Sequence, residues 1–264
     1  MIESIKQIVV QAGELIRRAH ITAEDISNKG GCANFVTKYD VMVQDYLFEH
    51  LSQFLPDATF LGEESTQDVL VSKGYTFIID PIDGTSNFIA GHGCSCISVA
   101  LAFDGIVQIG TIYNPFRDEL YYAERGKGAY LNATPLHMPD RPLTSGLVCF
   151  DTSPYHPAFC DATFLLAREI ISMGADLRRL GSGALELCYV AANRFSLTYA
   201  LRQSPWDYAA GWLIVEEAGG LVTTLDGTSP SLNEPSSIVA GCPASHAEFL
   251  KLAAEMRDTH HLSW

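Results

Sequence analysis

Residues 77–88 read FIIDPIDGTSNF. An apolar run, Phe77-Ile78-Ile79, opens into two aspartates, Asp80 and Asp83, and then at once into Gly84-Thr85-Ser86-Asn87. The segment leading in, GYTFIID, is apolar without alternation, which is the pattern of a strand covered on both faces. The segment leading out, TSNF, reads as the first turn of a short helix whose free amides attract an anion, and Gly84 lets a ligand approach the backbone closely. Strand ends and helix starts are where open α/β sheets gather their ligand sites.

The flanking sequence extends this pattern. The first 20 residues space Ile5, Ile8, Val9, Ala12, Ile16 and Ala19 at helical intervals. SNKGGCANFVTKYD is a Gly-rich loop or loose hairpin, DVMVQDYLFEHLSQFLP a helix stopped by Pro56, and ATFLGEES a short strand ending in a turn with two glutamates. CISVALAF, IVQIGTIYNP, RDELYYAER and AYLN read as antiparallel strands. DATFLLAREIIS, GSGALELCYVAAN, DYAAGWLIVEEA and SHAEFLKLAAEMRD read as helices, and SLTYALR, LVTTLDG and SSIVAG as strands. Such alternation predicts helix layers packed on sheets.

Bulk properties exclude several functions. In a chain of 264 residues, 31 acidic side chains against 17 basic give a formal charge of −14. That balance repels phosphate backbones and anionic lipid, so neither direct nucleic-acid binding nor membrane binding is expected. No apolar run reaches the length of about 20 residues that a membrane span needs. Seven cysteines without a CxxC pair cannot close into a complete disulfide set, and a reducing cytoplasm is the simpler setting. Cys94 and Cys96 read as small apolar residues alternating along a strand rather than as metal ligands.

Glu63 in GEES, Asp80 and Asp83 in DPIDG, and Asp207 in PWD each lie just past a strand or in the first turn of a helix. Each has an ordinary reading when taken singly. DPIDG is a turn sequence, Asp207 and Thr85 are plausible N-caps, and Glu63 and Glu64 could be solvated surface. Together they are harder to explain, because converging carboxylates repel unless a cation neutralises them. Hard oxygen ligands without histidine or cysteine point to Mg²⁺, and a pair of ions about 3.5–4 Å apart would let water attack a phosphate monoester.

Three motifs, GEES (62–65), DPIDGTSNF (80–88) and WDYAAGWLIVEEAGG (206–220), with supporting matches at FVTKYD, GKGAYLN and GSGALELCYVAA, make the chain resemble the inositol monophosphatase family. These are lithium-sensitive, Mg²⁺-dependent phosphatases related to fructose-1,6-bisphosphatase. The resemblance implies a layered αβαβα sandwich of α+β (α/β) type, forming a homodimer. It also implies one domain over 1–264 with two lobes, about 1–140 carrying GEES and DPIDGT and about 141–264 carrying Trp-Asp. Two or three Mg²⁺ ions are implied, one held by Glu63, Asp80 and the carbonyl of Ile82, and a second by Asp80, Asp83 and Asp207. Glu63 and Thr85 would activate water, with Asp40 accepting from the Thr85 hydroxyl. Phosphate and substrate would rest on Gly84, Thr85, Ser86, Gly183 and Asp207, and Lys29 would close over the metals.

Inositol-specific members carry a glutamate seven residues before the Trp-Asp aspartate; here that position is Ala200, with Arg202 and Gln203 nearby. The expected function is hydrolysis of a small polyol or sugar phosphate of the inositol 1-phosphate type. Alternatives are a nucleotide 3′-phosphatase, a histidinol-phosphatase and a sugar bisphosphatase. The alternative of another class is a protein-binding regulator on the same fold.

Overall fold

The computed structural model describes residues 1–30, 34–65 and 69–261. Cys32 and the tip of the Gly-rich loop lie outside them. Helix α1 (Ile2–Arg17) leads to a hairpin of β1 (Ile26–Asn28) and β2 (Phe35–Thr37), and α2 (Lys38–Phe54) follows. Next come β3 (Thr59–Gly62), β4 (Tyr75–Asp83), α3 (Thr85–Ile89), β5 (Cys96–Phe103), β6 (Ile106–Asn114), β7 (Glu119–Glu124), β8 (Ala129–Leu131) and β9 (Thr134–Pro135). Among the described residues, β3 to β9 form one sheet in sequence order.

The second half supplies β10 (Leu147–Phe150), α4 (Cys160–Ser172), β11 (Asp176–Arg178), α5 (Gly183–Ala191), β12 (Leu197–Gln203), α6 (Pro205–Glu217), β13 (Leu221–Thr223), β14 (Ser236–Gly241) and α7 (Pro243–His260). Its sheet has the order β11-β10-β12-β14-β13, with β10 parallel to both β11 and β12.

Burial explains how these elements stack. Ile5, Val9, Ala12 and Ile16 of α1 and Val43, Leu47 and Leu51 of α2 close on Phe77, Ile79, Ile97 and Val99 from one face of the larger sheet. Ile78, Cys96, Ala100 and Ile112 on its opposite face meet α5 and α6. Those helices in turn cover Cys149, Ile238 and Ala240 of the smaller sheet. Leu166 and Ile170 of α4 and Phe249 and Ala253 of α7 seal its far face against Leu197, Tyr199 and Val239. The layers run helix, sheet, helix, sheet, helix. Helices α5 and α6, enclosed by sheets on both sides, are apolar nearly all round, as a helix in a middle layer must be.

Three local expectations need correction. Strand β4 does not stop at Asp80 but continues through Pro81 to Asp83. Proline is tolerated there because the pairing with β5 shifts register between Asp80 and Asp83, and β3 pairs with β4 only as far as Ile79. Cys94 lies ahead of β5, so the two cysteines do not alternate along one strand. LVCF, unassigned from sequence, is the strand β10.

The seat of α6 on the larger sheet can be tested at Gly110 of β6, where a Cβ would fall 2.5 Å from the carbonyl oxygen of Ala210. Gly110→Ala is expected to lower stability by about 1–3 kcal/mol as an overpacking change. A urea midpoint equal to that of the wild type would contradict this packing.

Candidate active site

The carboxyl end of β4 meets the starts of α3, α5 and α6. Oxygens of Asp80, Asp83 and Asp207, one from each residue, lie within 4.8 Å of one another. Asp80 and Asp83 are buried, and Asp207 is half-buried. Each is held by fixed donors. Asp80 Oδ1 accepts from the amide of Ile82 (3.0 Å). Asp83 Oδ2 accepts from Ser182 Oγ (2.5 Å) and the amide of Ala184 (2.8 Å), both at the start of α5. Asp207 Oδ2 accepts from the amide of Ser204 (2.7 Å).

Asp207 is therefore not itself the N-cap. Ser204 is, and Asp207 three residues on completes a capping box. Thr85 is not a cap either. Gly84 caps α3 in the left-handed region (φ 83°), where a Cβ would meet the carbonyl oxygens of Cys94 at 2.9 Å and Gly181 at 3.1 Å. The Thr85 hydroxyl is thereby released for other partners. It faces Ile82 O at 3.0 Å and Asp40 Oδ1 at 3.2 Å, and its single proton can fully serve only one of them. Asp40 is fully buried, and its other oxygen accepts from the amide (2.7 Å) and hydroxyl (2.6 Å) of Thr37 at the start of α2.

Burial, followed by the charges of Glu63, Asp83 and Asp207, lifts Asp80 well above the usual carboxylate range. Asp207 is raised in the same way, by burial and then by Asp83 and Glu63. Burial pushes Asp83 up to about 6 despite the Ser182 and Ala184 bonds, and Asp40 to about 6 despite Thr37. Glu63 is raised by burial, with Lys29 opposing. Lys29 Nζ lies 3.0 Å from Glu63 Oε1 and also contacts Glu64. Burial works against its charge, yet the two glutamates hold its pKa above the ordinary lysine value.

A cavity of about 480 Å³ opens over this cluster. Glu63, Asp80, Ile82, Asp83, Gly84, Thr85, Ser86, Gly183 and Asp207 all line it. Asp40 stands behind Thr85, and Lys29 lines an adjoining cavity of about 780 Å³. Ala200, buried in β12, lines neither, while Arg202 reaches the second cavity and Gln203 both. Sequence reasoning missed Asp151, Tyr155 and Arg179 on the cavity wall. Asp151 carries the signal that marked Asp80, an aspartate directly after a short apolar strand, but four residues of LVCF were too few to register as that strand.

The inositol monophosphatase family model matches residues 1–259. The chain belongs to the inositol monophosphatase family. It is 36% identical over 218 residues to inositol monophosphatase 3 of Solanum lycopersicum, covering 80% of this chain and 81% of that protein. It is 34% identical over 232 residues to the Nus factor SuhB of Haemophilus influenzae, covering 87% of each. The structure of SaIMPase-II from Staphylococcus aureus with inositol monophosphate bound superposes with a TM-score of 0.82 at 28% identity, covering 97% of this chain and 93% of that one. The protein is thus a phosphoric monoester hydrolase with this family's layered fold, and the family is metal-dependent. No helix among the described residues is long and apolar enough to cross a membrane.

The raised carboxylates make stability depend on pH. Asp40 and Asp83 have an ordinary value of 3.8 and reach about 6 in the folded chain, so the native state holds more protons across that interval. Their contribution is complete below the unfolded value and is lost as pH rises through about 6. Metal-stripped protein is expected to melt at a lower temperature at pH 7 than at pH 5, and Mg²⁺ to raise the melting temperature far more at pH 7. Equal Mg²⁺ shifts at the two pH values would contradict cation binding at the cluster that contains Asp83.

Proposed function

We propose that the protein is a Mg²⁺-dependent phosphomonoesterase acting on a small polyol or sugar phosphate of the inositol 1-phosphate type. The observation that carries this reading is the closure of Asp80, Asp83 and Asp207 within 4.8 Å beside the start of α3. A donor set made only of hard oxygens suits Mg²⁺, which dehydrates reluctantly and shares its shell with substrate phosphate. Glu63, Asp80 and the Ile82 carbonyl would hold one ion, and Asp80, Asp83 and Asp207 a second, with room in the reading for a third. When bound, the ions would neutralise the carboxylates, polarise the phosphoryl group and acidify water.

The chain's own groups do the rest. The first amides of α3, at Thr85 and Ser86, have no acceptors within the helix and are free to bind phosphate oxygens with the Gly84 backbone. Thr85 orients the attacking water by accepting from it while its own proton goes to Asp40. Glu63 takes the water's proton. Lys29, paired with Glu63, holds that carboxylate in place and adds positive charge at the mouth. This reading takes the protein as a cytoplasmic homodimer.

The relative named a Nus factor favours one second reading, a protein-binding regulator on the same fold. The complete set of Glu63, Asp80, Asp83 and Asp207 weighs for catalysis, since binding alone has no use for it.

Phosphate release across a panel of esters, with Mg²⁺ and with chelator, separates the two readings. Release from a polyol ester that chelator abolishes and Li⁺ inhibits is expected; no release from any ester would leave the regulator. Thr85→Ala should lower kcat by a factor of about 10² or more with little change in melting temperature or Mg²⁺ affinity, and Thr85→Ser should recover part of the loss. Wild-type kcat in Thr85→Ala would remove Thr85 from the catalytic set.

A further inference from the structure

The described structure contains one carboxylate in the cleft that the chemistry above does not use. Asp151 directly follows β10 and lines both cavities, so it stands at their junction. Glu63 and Asp207 share that junction but already have roles in the proposed chemistry, whereas Asp151 has none and lies outside the trio of Asp80, Asp83 and Asp207.

Strand register fixes where Asp151 points. Val148, Cys149 and Phe150 pair in parallel with Leu197, Thr198 and Tyr199, and the amide of Asp151 donates to Tyr199 O at 3.0 Å. The next step of the ladder sets Asp151 beside Ala200. Phe150 and Tyr199 stack on each other on the face covered by α4 and α7. Successive side chains alternate across a sheet, so Asp151 and Ala200 project to the other face, where Asp151 reaches the cleft and Ala200 stays buried. Ala200 offers only a methyl there, and the carboxylate beside it lines both cavities.

Asp151 is also held firmly. The amide of Thr152 donates to Oδ1 at 2.7 Å, and Arg179 Nη2 lies 3.7 Å from the same oxygen. The following turn is pinned by Ser153, whose hydroxyl donates to Arg202 O (2.9 Å) and accepts from the Arg202 amide (3.2 Å). An ionised carboxylate has about four lone-pair sites and no proton to give, so acceptor capacity remains after these contacts. Such a group accepts from the hydroxyls of a neutral polyol and repels a second anionic group.

We propose that Asp151 is a specificity-determining residue that binds the hydroxyls of the substrate's alcohol, selecting polyol monophosphates over esters without hydroxyls and over bisphosphates. This rests on the phosphatase reading above.

The test measures kcat and KM of the full-length, Mg²⁺-loaded wild type, Asp151→Asn and Asp151→Ala with inositol 1-phosphate, fructose 1,6-bisphosphate and phenyl phosphate. Losing a hydrogen bond to a charged group should lower the ratio of kcat/KM for inositol 1-phosphate over phenyl phosphate by roughly 10- to 100-fold, mostly through KM. The isosteric Asp151→Asn guards against loss of folding in the alanine variant, and circular dichroism checks both. An unchanged ratio, an equal fall for both esters, or a wild type that prefers the bisphosphate would overturn the proposal. So would a shift in the Mg²⁺ concentration for half-maximal rate, which would make Asp151 a metal ligand. A wild type that releases phosphate from none of the three esters would remove the phosphatase reading itself, and the subsite with it.

Discussion

Three carboxylates from two chain segments more than 100 residues apart are forced to within 4.8 Å of one another, and the structure is arranged around that repulsion. At such a distance like charges in a poorly solvated site raise one another's pKa steeply. The fold compensates with oriented donors rather than with counter-charges. Ser182 and the Ala184 amide face Asp83, the Ser204 amide faces Asp207, and the Ile82 amide faces Asp80. These bonds fix the geometry of the carboxylates without cancelling their charge. The remaining negative potential is what makes the site suited to a small divalent cation.

That arrangement depends on the middle helical layer. Helices α5 and α6 lie between the sheets, and both begin at the carboxyl end of β4. Their starts supply the donors to Asp83 and Asp207, while the Ile82 amide that faces Asp80 belongs to β4, where the register with β5 shifts. Close packing holds the two helices together: a Cβ on Gly211 would come within 2.6 Å of Leu187. The carboxylates of the cluster thus stand on rigid elements whose positions are set by one core that runs from the larger sheet through the helical layer to the smaller sheet.

Much of this was legible in the sequence where the signal is local. An unbroken apolar run announced β4, and helical spacing placed the face of α1 that meets the sheet. The assignments that failed depend on partners distant in sequence. Whether β4 ends at Asp80 or runs on is decided by its register with β5, which a run containing proline does not reveal. Which residue caps α3 and α6 is decided by backbone angles at Gly84 and Ser204, so Thr85 and Asp207 looked like caps although neither is one. Strand β10 is four residues long and gains its identity from β11 and β12 beside it. Asp151 passed unnoticed for the same reason.

The site divides by origin in a way that bears on specificity. In the proposed mechanism, the groups for metal and phosphate come mostly from β4, α3 and the segment around β3, joined by Gly183 and Asp207 from the second half. The rest of the cavity wall comes mostly from the second half: Asp151 and Tyr155 after β10, Arg179 after β11, and Arg202 and Gln203 at the end of β12. On the proposed reading phosphate rests largely on backbone amides, whose positions are indifferent to side-chain identity, and the alcohol meets side chains on loops and strand ends, where a substitution costs little packing. On the proposal above, aspartate at 151, just after β10 and beside alanine at 200, puts the acceptor there rather than on β12, and a substitution on that wall would change which alcohol fits without moving a carboxylate of the cluster.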